Sequence, residues 1–130
     1  MPLVPRVESI EQAIAISGFT NSGKKSGYID LDTQVPAESI VQGWKGLITT
    51  RFTGGSAGRT TLSVGTPGTP DAYGAAVAVE SGSPNVRGSG ASEFLPIAQN
   101  IRVTVEDRLD FDNVSGGAVT ITVYYVRTIA

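Results

Sequence analysis

The sequence predicts an all-β protein: a single-domain antiparallel β-sandwich, jelly-roll-like, of about eight strands. Three observations carry this expectation. Apolar residues recur with period two, as where Ile101, Val103 and Val105 alternate with Arg102, Thr104 and Glu106. The runs are short and separated by turn clusters, which draw on 16 glycines and 7 prolines among 130 residues. Only Ser9–Ala15 has an apolar spacing that a helix could use. A chain of this length forms about one domain, and short strands with Gly/Pro turns resolve into a sandwich or barrel.

Residues 1–8 contain Pro2 and Pro5 and show no period, so they read as an extended arm ahead of a sandwich domain over 9–130. Ile10, Ala13 and Ile14 would suit a helix, and Ser9 with Gln12 is a weak capping-box pattern. Ile14 and Ile16 alternate, and a strand over 13–17 is favoured because the rest of the chain is β-patterned. Residues 18–27 are turn-rich, Tyr28–Leu31 is a short strand, and 34–38, with Pro36, is a connection.

The longest expected strand is Ser39–Thr53. Ile40, Trp44, Ile48 and Phe52 fall on one face, and Lys45, Thr49 and Arg51 on the other. Gly43 and Gly46 mark a bulge or bend within it. Trp44 lies on the apolar parity and is expected to anchor the core.

A turn at 54–58 leads to a strand over Thr60–Gly65, and a Pro/Gly cluster at 66–71 to one over Tyr73–Val79. Residues 80–91 form the longest expected loop, and loops of this length are commonly functional. Phe94–Ile97 contains Pro96, which restricts it to an edge strand. Asn100–Glu106 alternates cleanly, and residues 112–117 read as a hairpin turn. In the closing strand, Ala118–Arg127, Val119, Ile121, Val123 and Tyr125 share one face, and Thr120, Thr122 and Tyr124 the other.

The side-chain inventory excludes most chemistry. Without cysteine or histidine there is no disulfide, no Ser-His-Asp or Cys-His centre, and no zinc site built from those residues. Gly18–Lys25 matches seven positions of the phosphate-binding loop, but Lys25 stands where the Mg²⁺-binding hydroxyl is needed, and a turn and strand come next instead of a helix. Asp30/Asp32 and Asp110/Asp112 are carboxylate pairs at i, i+2. Neither meets the calcium-loop pattern, and they read as solvated strand-end charges. Asn113-Val114-Ser115 is a glycosylation sequon by pattern only. No enzymatic activity, cofactor or metal is expected.

Ten basic against twelve acidic residues, with no basic patch, make nucleic acid an unexpected partner. No apolar run reaches the roughly 18 residues needed to cross a bilayer as a helix, so no membrane partner is expected. Residues 1–6 lack the pattern of a secretory signal, so synthesis in the cytoplasm is expected.

Several segments resemble small virion proteins of tailed bacteriophages. They are Ile29-Asp30-Leu31, Pro36-Ala37, Gly54-Gly55, Thr61-Leu62-Ser63-Val64-Gly65, Pro70-Asp71-Ala72-Tyr73 and the run Ala118 to Tyr125, within about residues 26–127. The resemblance implies a structural role without catalytic residues. It points first to a decoration (cement) protein on the exterior of a phage head, a homo-oligomer with the trimer favoured, whose partner is the major capsid protein. The alternatives are a head-fibre or tail-tip module binding host carbohydrate, for which Tyr28 and Tyr124 are the outward aromatics, and a tail or neck ring component. Pro2, Leu3, Val4, Pro5 and Arg6 of the arm, and Ser83, Pro84, Asn85, Val86 and Arg87 of the long loop, are the candidate shell contacts, because exposed segments are free to order on binding.

Overall fold

The computed structural model describes residues 7–21, 25–54, 60–79, 85–90, 94–107 and 110–127. Ten strands are formed there: β1 Val7–Ala15, β2 Thr20–Asn21, β3 Ser26–Asp30, β4 Ser39–Thr53, β5 Thr61–Gly65, β6 Val77–Ala78, β7 Asn85–Gly88, β8 Phe94–Leu95, β9 Arg102–Glu106 and β10 Gly116–Arg127. Two single-turn 3-10 helices, Ile16–Gly18 and Phe111–Asn113, accompany them.

The strands make two antiparallel sheets. The first has the order β1-β10-β4-β7, with β8 also paired to β4; the second has the order β2-β3-β9-β5-β6. The pairs nest in sequence: β5 with β6, inside β4 with β7, inside β3 with β9, inside β1 with β10. The chain thus runs as one long hairpin rolled on itself, and the all-β sandwich agrees with the expectation from sequence.

Inward residues from both sheets fill the space between. Leu62, Val64, Val103 and Val105 of the second sheet and Ile121 and Val123 of the first are fully enclosed. Burying each such side chain contributes about 1.5–3 kcal/mol. Trp44 lies in this core at 2% exposure, and its indole N–H donates to the Tyr73 carbonyl at 3.0 Å. Gly88, directly opposite Trp44, leaves the room for that ring, because a Cβ there would collide with the indole.

Several local expectations are corrected by tertiary contacts. β1 begins at Val7, inside the segment read as an arm, because Ile10 and Ile14 both point into the core and draw the strand onto β10. In β4, Tyr124 pairs with Gly43 but Tyr125 pairs with Val41, so one extra residue sits at 42. This bulge reverses the parity. Val41 therefore joins Trp44 inside, and Ile40 turns to the outer face, against the expected pattern.

The strand expected over Tyr73–Val79 shrinks to Val77–Ala78. Tyr73 instead occupies a turn, buried, with its N–H donating to the Val64 carbonyl. The loop expected over 80–91 contains β7, because 85–88 finds a partner in Trp44–Leu47.

No hairpin joins β9 to β10 at 112–117. The segment crosses between the sheets because Phe111 and Val114 are buried, and a tight turn there would leave both in water. The Asp110 carboxylate caps the crossing turn by accepting from the Asp112 N–H at 3.0 Å.

Burial pushes the Tyr125 phenol above its ordinary range. The neighbouring Glu8 carboxylate acts in the same direction, and Arg127 opposes it. Folding therefore favours the neutral phenol. The resulting stabilisation is fully present below the ordinary tyrosine value of about 10 and is lost as pH rises through the raised folded-state value. Urea unfolding between pH 9 and 11.5 is expected to show a steeper loss of stability in wild type than in Tyr125→Phe. Parallel curves would refute this assignment.

Candidate functional site: the outer face of the first sheet

The outward residues of the first sheet are set by its register. Directly paired residues share a face, so each row can be traced from edge to edge. One row runs Val7 (β1), Val126 (β10), Ile40 (β4) and Phe94 (β8). All four are apolar. Val7 is 66% and Phe94 46% exposed, and the middle two are half-buried. Exposed Ile97 lies just beyond β8. The β4 bulge creates this row by turning Ile40 outward. Contiguous exposed apolar surface of this kind marks contact sites more often than isolated apolar residues do.

A second row runs Glu11, Thr122, Lys45 and Arg87. It is acidic at the β1 edge and basic at the β7 edge. Between the two rows sits Tyr124, with the Lys45 ammonium 6.0 Å from its ring centroid. A third row runs Ala13, Thr120, Leu47 and Asn85, and Leu47 is about half exposed.

The edges of this sheet differ in length. Among the described residues β1 offers nine residues paired on one side only, whereas β7 and β8 at the opposite edge have four and two. The edges of the second sheet, β2 and β6, have two residues each.

Among the expected contact residues, Asn85 and Arg87 are exposed on β7. Val86 turns inward over Gly46, where it packs on the core, so its side chain is not presented at the surface. Pro2, Leu3, Val4, Pro5, Arg6, Ser83 and Pro84 lie outside the described residues. Sequence reasoning missed Val7, Ile40, Phe94 and Val126 as surface residues. Their apolar character was visible, but only the register shows that they form one exposed row.

The outer face of the second sheet is different. Ser26, Thr61, Ser63, Thr104 and Glu106 line a groove of about 340 Å³, walled by Pro70, Asp71 and Ala76. Thr104 Oγ1 is buried there without a hydrogen-bond partner. Beside it, Arg102 forms a two-pronged bond to Asp30 at 2.8 and 3.1 Å and lies 3.8 Å from the Tyr28 ring centroid. The Asp30 hydrogen bond, chiefly, raises the Arg102 guanidinium further above its already high range. Tyr28 thus presents a ring face already occupied by a cation.

Asp30 is therefore a pairing residue, and Asp112 accepts from the Asn21 amide at 2.8 Å. Among the described residues no group of three or more acidic side chains could hold a metal ion. The strand β3 comes directly after the Gly18–Lys25 segment, where a phosphate-binding loop would need a helix. No described helix is long and apolar enough to cross a membrane.

No protein-family model and no curated protein matches the chain. Solved structures do match its fold. A chain of the cyanophage Pam1 capsid asymmetric unit superposes with a TM-score of 0.72 at 17% identity, over 98% of this chain and 89% of that one. A chain of the Ralstonia phage GP4 capsid gives 0.63 at 18% identity, over 100% and 90%. A chain of the acid-stable capsid of Helicobacter pylori bacteriophage KHP30 gives 0.53 at 12% identity, over 93% of each. At these identities the likeness is one of fold.

Proposed function

We propose that this protein is a structural component of a phage head: a decoration protein that binds the assembled shell from outside and holds its subunits together. The observation that carries this reading is the apolar row Val7–Val126–Ile40–Phe94, exposed at both ends and half-buried between, on a sandwich whose fold is shared with chains of phage capsids. Such a protein acts by mass action. It binds the assembled shell and not the free subunits, so it stabilises the shell in proportion to its occupancy. The contact surface of this proposal combines the outer face of the first sheet, residues 1–6, and the segment from Ser83 to Arg87 without the inward side chain of Val86.

The test is binding to heads lacking the protein, isolated from the phage that encodes it. Co-sedimentation should saturate at a fixed ratio and raise the melting temperature of the heads. Deleting residues 1–6, which leaves β1 whole, should preserve the far-UV spectrum and weaken binding by about tenfold or more, a loss of roughly 1.4 kcal/mol. Equal binding by the truncated protein would remove the arm from the contact. No binding to heads at all would overturn the decoration reading.

The hydroxyl-lined groove on the second sheet favours the fibre-module alternative. In that case, titration with host-surface oligosaccharide should perturb the amides of Ser63 and Thr104 rather than those of the first sheet.

A further inference from the structure

We propose that copies of this chain join head to tail through the two lateral edges of the first sheet, β1 of one copy adding antiparallel to β7 and β8 of the next. This names how the copies of the proposed head protein meet each other. It is tested without shells, so its failure and the failure of the shell-binding reading are distinguishable.

Three observations converge on it. Among the described residues β1 is a nine-residue edge with one side unpaired, whereas the other sheet edges are two to four residues long. A long bare edge invites strand addition, and proteins that stay monomeric usually shorten or charge such edges. The two edges also carry matching ends of the same rows. The β1 edge presents exposed Val7 and Glu11, and the opposite edge presents exposed Phe94 and Arg87.

The spacing matches as well. Val7 and Glu11 are aligned through Val126 and Thr122 with Ile40 and Lys45, and so with Phe94 and Arg87. Five residues on β10, 122–126, correspond to six on β4, 40–45, because of the bulge at 42. When one copy's β1 edge continues the next copy's sheet, Val7 meets Phe94 and Glu11 meets Arg87 in a single register. Strand direction agrees too: β1 runs with β4 and against β7, so the added strand is antiparallel.

Charge selects the partner. The acidic residues of β1 are Glu8 and Glu11, while Arg87 lies at the other edge with Lys45 one strand behind it on β4, so two β1 edges would repel and a β1–β7 contact attracts. Neither Glu11 nor Arg87 forms a salt bridge among the described residues. A contact between two different edges is heterologous, and it closes into a ring where the twist accumulated per copy permits.

The absence of cysteine makes the test direct. In the double variant Val7→Cys/Phe94→Cys the two thiols of one chain are three strand spacings apart, roughly 14 Å, too far for an internal disulfide. Mild oxidation should give covalent oligomers closing at a defined number of copies, while either single variant stops at dimer or below. In light scattering after size exclusion, Glu11→Arg and Arg87→Glu should each weaken self-association by about tenfold or more, and the charge-swapped double variant should restore it. A wild-type protein that stays monomeric at high micromolar concentration would overturn the proposal, as would oligomers unaffected by both single reversals or not recovered by the swap. Far-UV spectra of all variants keep folding defects separate, and these positions are exposed.

Discussion

Trp44→Ala is expected to lower stability by about 3–5 kcal/mol, the range for truncating a large buried aromatic. The ring is 2% exposed, lies opposite Gly88, and bonds to the Tyr73 carbonyl. Two effects contribute, and their sizes decide which dominates. A net hydrogen bond is worth about 0.5–1.5 kcal/mol, less than the burial and cavity effects together. The Tyr73 carbonyl also keeps a second donor, the Gly90 N–H at 3.2 Å. Trp44→Phe, which loses the bond but keeps much of the ring, should therefore cost well under half as much. The measurement is the urea midpoint followed by circular dichroism, because Trp44 is the chain's only tryptophan and its fluorescence disappears with it. For a domain of this size the alanine variant should melt roughly 10–20 °C lower. An unchanged midpoint would show that the ring does not lie in the core.

Asp107→Ala should cost about 2–4 kcal/mol, with no loss of apolar packing to explain it. Asp107 is fully enclosed. One carboxylate oxygen accepts from the Thr60 hydroxyl at 3.1 Å and the other from the Asp110 N–H at 3.1 Å, while its own N–H donates to the Lys25 carbonyl at 2.8 Å. Truncation removes the acceptor for two donors while the surrounding segments still hold them in place. Asp107→Asn should cost less. Its oxygen can serve the Asp110 N–H, and the Thr60 hydroxyl can rotate to accept from the new amide. Equal losses in the two variants would mean that the negative charge, not the acceptor geometry, is what this site requires.

Asp107 also shows where sequence reading stops. Nothing in the local sequence distinguishes this aspartate from the solvated Asp32 or Asp71. It is buried because β9 ends where Thr60, the Lys25 carbonyl and Asp110 meet, and those residues are 47, 82 and 3 positions away in the chain. The β4 bulge is similar. Gly43 and Gly46 announced an irregularity, but its direction depends on which residues of β10 lie opposite.

The sequence alone determined that this chain is an antiparallel sandwich without the side chains for most catalysis. Period-two alternation and turn chemistry are local properties, and the absence of cysteine and histidine needs no structure. The long strand Ser39–Thr53 and the inward set Val119, Ile121, Val123 and Tyr125 were legible for the same reason: the inward residues of β10, and those of β4 from Trp44 onward, follow the alternation of their own strand, which only the bulge at 42 breaks. Only the tertiary structure decided that 112–117 crosses between sheets, that 85–88 is a strand, and that Val7, Val126, Ile40 and Phe94 stand in one row on the outer face. Register and strand order are set by pairing between distant segments, and the energy of those contacts is distributed over partners that no local window of sequence contains.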